Sequence, residues 1–124
     1  MYNTNRLFKK MVCTSINTSE EIEIKETTNI YHKLNKIEKI ETIVEYDIKD
    51  EIVKSGFNNI FNTIKQKYDD KSIKKEETID NDKYTLRIIY DPKNLSEETL
   101  KKLNSNTKLN QYKEYLESQK MICK

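Results

Sequence analysis

Between Lys49 and Tyr68 the apolar residues Ile52, Val53, Phe57, Ile60, Phe61, Ile64 and Tyr68 recur at spacings of three and four. That period fits one face of an α-helix. Asp47 reads as its N-cap, and Asp50 and Glu51 suit the positive end of the helix dipole. Gly56, the chain's single glycine, sits within this helix and reads as a point of close packing against a neighbouring sheet. An amphipathic helix must bury its stripe on another element, and the sequence on either side supplies strands.

Upstream, Ile22 and Ile24 alternate with Glu21, Glu23 and Lys25, and Thr27, Thr28, Ile30 and Tyr31 continue the strand propensity. After a turn at Lys33–Lys36, Ile40, Thr42, Val44, Tyr46 and Ile48 alternate with charged residues. Leu34, Ile37, Glu41 and Val44 also match a helical spacing, but β-branched and aromatic side chains favour a strand over Ile40–Tyr46. Downstream, residues 72–79 and 83–90 form a hairpin around Asp80, Asn81 and Asp82, with Tyr84, Leu86, Ile88 and Tyr90 on one face. Ser96 then caps a helix, Leu95 and Leu100 form its hydrophobic staple, and Asn104–Asn106 separates it from a last helix over residues 107–120. Leu7, Phe8, Met11 and Val12 suggest a short helix over residues 5–13.

The expected architecture is α+β: a four-stranded, mainly antiparallel sheet with helices packed on one face, in the order α-β-β-α-β-β-α-α. Residues 1–19 form an N-terminal arm or short helix, and residues 20–124 a single domain. A chain of 124 residues can bury one core without a metal or disulfide staple.

Charged residues make up 35% of the chain, yet the net charge is only +2, which argues against disorder. Residues 20–53 hold ten acids against five bases, so the basic field of a typical nucleic-acid binder is absent. The lack of Ala and Trp, beside abundant Lys, Asn and Ile, is the mark of an AT-rich genome. Small size and that base composition suggest a mobile genetic element. Cys13 and Cys123, near opposite ends, read as reduced thiols, and no apolar stretch suits a signal peptide or membrane span. A cytoplasmic chain without membrane association follows.

One glycine excludes the common phosphate-binding loops, and two Cys with one His cannot complete a structural zinc site. No catalytic, cofactor or metal residues are assigned. His32 reads as a surface residue of a strand end. Glu23-Ile24-Lys25 and Asp47-Ile48-Lys49 have the acid-x-Lys spacing of metal-dependent nucleases, but in a chain this rich in Glu and Lys such tripeptides arise by chance, and the reading carries little weight.

The leading expectation is a small non-enzymatic protein-binding module, a regulator, inhibitor or accessory factor. Tyrosine suits interfaces, and Tyr31 and Tyr115 fall off the apolar faces. The alternative is a DNA-binding protein with a helix-turn-helix-like pair over residues 97–120 and the 72–90 hairpin as a wing. There Thr107, Lys108, Asn110, Gln111 and Lys113 would meet a groove, and Lys74 and Lys75 the phosphates. A homodimer through an uncovered edge strand is a further expectation.

Overall fold

The computed structural model describes residues 8–124. Six strands form one antiparallel sheet: β1 (Lys9–Thr18), β2 (Ile22–Lys33), β3 (Lys36–Ile48), β4 (Lys74–Asp80), β5 (Lys83–Tyr90) and β6 (Ile122–Cys123). Their order across the sheet is β4-β5-β3-β2-β1-β6. Helix α1 (Glu51–Gln66) joins β3 to β4, and α2 (Glu97–Lys102) and α3 (Leu109–Ser118) lie between β5 and β6.

This corrects the four-stranded architecture and its element order. The α+β class and the β2, β3, β4 and β5 strands stand; β1 and β6 are additions to the expected sheet. The expected N-terminal helix gives way to β1, which pairs with β2 from Lys9↔His32 to Thr18↔Glu23; residues 5–7 of that expected helix lie outside the described residues. Met11 and Cys13 point inward along β1, and Val12, which a helical stripe would group with Met11, falls on the other strand face. β6 is only two residues long, too short for any periodic signal, and is held by Cys13↔Cys123 and Thr14↔Ile122 pairing. Cys13 and Cys123 form a disulfide across that pair, in place of the two free thiols expected.

Alternation along the strands decides which face is covered. Ile30 on β2, Ile40, Val44, Tyr46 and Ile48 on β3, and Tyr84, Leu86, Ile88 and Tyr90 on β5 are buried. In the β2–β3 and β3–β5 registers these residues stand in rows, as Ile30↔Ile40, Ile40↔Tyr90 and Tyr46↔Tyr84. Phe57 and Phe61 of α1 press onto this face and enclose Tyr46 and Tyr84, with ring centroids 4.8–6.1 Å apart. The Tyr84 hydroxyl donates to Asn58 Oδ1 at 2.7 Å, so the polar tip of this buried ring is satisfied.

Local chemistry places the helix ends. The α1 N-cap is Asp50, not Asp47: its carboxylate accepts from the Ile52 and Val53 amides at 2.7 and 3.2 Å. Ser96 caps α2 through the Thr99 amide, as its position before two glutamates indicates. With so little glycine, other residues occupy the left-handed positions: Leu34 and Asn81 in hairpin turns, Asn104 after α2 and Lys120 after α3. Gly56 serves no close approach, since a Cβ built there would meet nothing within 4 Å. Among the described residues no helix is long and apolar enough to cross a membrane.

Candidate ligand-binding cavity

The covered sheet face is not filled evenly. Successive β2 residues on that face are Ile22, Ile24, Glu26, Thr28 and Ile30. Glu26 therefore falls in the phase of the apolar residues, paired across the sheet with Val44, and Thr28 is paired with Thr42. The threonine hydroxyls lie 3.4 Å apart and occupy much less space than the isoleucines in the adjacent row. α1 covers the sheet on the β3–β5 side, while α3 is tied to β6 near the opposite edge. Small floor residues between two separated helices leave a cavity of about 270 Å³.

Its floor is Glu26, Thr28, Thr42 and Tyr90. Lys67 and Tyr68, where the chain leaves α1, form one wall, and Tyr112, Tyr115, Leu116 and Gln119 of α3 form another. Leu103 and Met121 complete it. Tyr112 is buried, and the Tyr90 hydroxyl donates to Ser105 Oγ at 2.7 Å. Tyr90 and the buried Tyr112 ring form the rear of the cavity.

Glu26 is the acid of this lining. Among the described residues no hydrogen bond or ion pair reaches its carboxylate, which is partly buried within the cavity lining. Burial pushes its carboxyl above the ordinary value, and the positive charge of Lys67 offsets part of that rise. The tyrosines respond in turn. Burial and the Glu26 charge push Tyr46 and Tyr68 to about 12, and burial holds Tyr112 well above its usual value. The site thus holds neutral phenols around one partly buried acid, an arrangement suited to accepting donors or a positive charge.

The residues singled out from sequence are dispersed. Tyr31 lies on the open face of the sheet, between the Lys10 and Lys39 ammonium groups at 5.8 and 4.5 Å from its ring centroid. Tyr115 lies on the covered side, in the cavity wall, so the two belong to no common surface. Lys74 and Lys75 are on the edge strand β4, at the far side of the sheet from β6 and α3. Asn110 is engaged with the β2–β3 turn: its amide N–H donates to Asn35 Oδ1 at 2.8 Å, and its Oδ1 accepts from Asn35 Nδ2 at 3.0 Å. Gln111 Oε1 accepts from Asn106 Nδ2 at 2.8 Å. The Thr107 carbonyl accepts from the Ile37 amide, and Lys108 bridges to Lys36. Lys113 is half-exposed on α3.

Glu23 and Asp47 are cross-strand partners on the open face, and among the described residues no group of three or more His, Cys, Asp or Glu side chains is placed to hold a metal. His32 Nδ1 makes a 2.9 Å hydrogen bond with the Leu34 carbonyl. Sequence reasoning missed Glu26, although an acid in the apolar phase of a strand was a readable signal.

No family model and no curated protein matches this sequence. Among solved structures, the chain is similar to an NMR structure of a protein from Streptococcus pneumoniae TIGR4. The TM-score is 0.54 at 9% identity, covering 94% of this chain and 85% of the other. The likeness is one of fold.

Proposed function

We propose that this chain is a non-enzymatic binding module, and that its cavity receives a side chain presented by another protein. The observation that carries this reading is the partly buried, unpaired Glu26 carboxylate in a cavity lined by tyrosine. A polar group withdrawn from water without a partner costs stability, and an occupant that pairs with it recovers that cost as affinity. At about 270 Å³ the cavity falls just below the ~300–1,000 Å³ of drug-sized pockets, which suits one side chain better than a large cofactor.

The nucleic-acid reading gains less support. The Asn110 and Gln111 amide groups that would read base edges are engaged with Asn35 and Asn106. Dimerisation through β4 gains little either, because Lys74, Lys75, Glu76 and Glu77 place charge along that edge. The Cys13–Cys123 bridge favours an oxidising compartment over the cytoplasm.

Site-specific photo-crosslinking separates the classes. A photoreactive group at Tyr115 should capture protein, and the same group at Asn110 should capture no nucleic acid at physiological salt. Sequence-selective DNA retention at that salt, with no protein captured through position 115, would reverse the assignment.

A further inference from the structure

We propose that the cavity is a receptor for a single ammonium group, with Glu26 as its counter-ion and Tyr68, Tyr90, Tyr112 and Tyr115 as its walls; this deepens the cavity reading above and rests on it.

Three observations select the cation. The first is the sign of the charge inside. Glu26 is the only acid in the lining, and the one base, Lys67, is exposed and makes no ion pair with it. An anionic occupant would face an unpaired carboxylate at short range. A neutral apolar occupant would displace water from that carboxylate and give nothing back. An ammonium supplies both charge and N–H donors, and charge-assisted hydrogen bonds are the strong ones.

The second observation is the wall chemistry. Tyrosine rings attract cations through their quadrupole, and their hydroxyls accept N–H donors without competing for charge while the phenols stay protonated. The third is the mixed lining. Leu103, Leu116 and Met121 stand beside the polar groups and can cover the methylene stem of an alkylammonium, as apolar surfaces do for lysine. A free short-chain amine and the lysine side chain of a partner protein share this chemistry.

NMR titration of the intact chain at neutral pH tests the proposal. The probes are n-butylammonium, n-butanol as its neutral isostere, and Nα-acetyl-lysine N-methylamide. Butylammonium should shift the Glu26, Tyr112 and Tyr115 resonances saturably, and butanol should bind roughly tenfold more weakly or less. Glu26→Gln should abolish the preference for the amine over the alcohol, and Lys67→Gln should strengthen amine binding by removing a competing charge.

Binding should also lower the Glu26 titration midpoint, a shift that a merely structural carboxylate would not show. Tighter binding of the capped lysine assigns the occupant to a protein; its exclusion, with butylammonium still bound, assigns it to a free amine. Equal binding of butanol and butylammonium would overturn the ammonium proposal and leave the cavity reading standing. If no probe shifts the lining resonances, both fall. Should Glu26→Gln fail to fold, the amine–alcohol comparison on the unmodified chain still decides.

Discussion

α1 and α3 cover the same face of one sheet, and they do so in opposite ways. Under α1, Phe57 and Phe61 fill the space against Tyr46 and Tyr84, and the Tyr84 hydroxyl is matched to Asn58. Under α3, Thr28 and Thr42 replace large apolar residues, the Tyr90 hydroxyl is tied to Ser105, and Glu26 is left with no partner among the described residues. Both regions bury aromatic residues, so composition does not separate them. The difference lies in floor volume: one side is closely packed by aromatic rings, and the other gives up some packing and leaves a polar space open.

The sharpest way to break this contrast is to truncate a ring under α1. Phe61 is 1% exposed, and Phe61→Ala should cost about 3–5 kcal/mol in chemical denaturation. A loss below a third of that would mean the α1 side is not the packed one. Next in size is the tether of the α3 side. Reducing the Cys13–Cys123 bridge releases a crosslink spanning 110 residues and should cost roughly 2–4 kcal/mol. Amide exchange should then rise first at Gln119–Cys123, which follows the cavity wall into β6; uniform exchange across the sheet would remove the link between bridge and cavity.

Tyr90→Phe should cost about 1 kcal/mol, because it removes the hydroxyl bonded to Ser105 while the ring remains. Tyr115→Phe, half-exposed in the cavity wall, should be near neutral. Equal losses at both positions would blur the distinction between the cavity's fixed rear and its open wall.

How much of this was legible in sequence follows the same division. The α1 stripe, the β5 alternation and the Ser96 cap are local patterns of fixed period, and each was readable. β1 was misread because Leu7, Phe8, Met11 and Val12 also satisfy a helical spacing, and only pairing with β2 turns Lys9–Thr18 into a strand. β6 and the disulfide depend on two termini meeting across 110 residues of sequence, which no local pattern records. Glu26 was visible as an acid in the apolar phase of β2. Its neighbours Tyr68, Tyr90, Tyr112 and Tyr115 come from three separate segments and meet only in the fold.

The central claim is that Glu26 is a partly desolvated carboxylate with no side-chain or backbone partner among the described residues. A folded carboxyl raised above its unfolded value binds protons that the unfolded chain does not. Its contribution to stability therefore falls as pH rises from the unfolded to the folded pKa, and Glu26→Gln should flatten that part of the stability–pH curve. The most direct measurement is an NMR titration of the Glu26 side-chain carboxyl in the intact chain. The account predicts a midpoint clearly above the ordinary glutamate value of 4.5. A midpoint at or below that value would show a solvated or paired carboxylate and contradict the account.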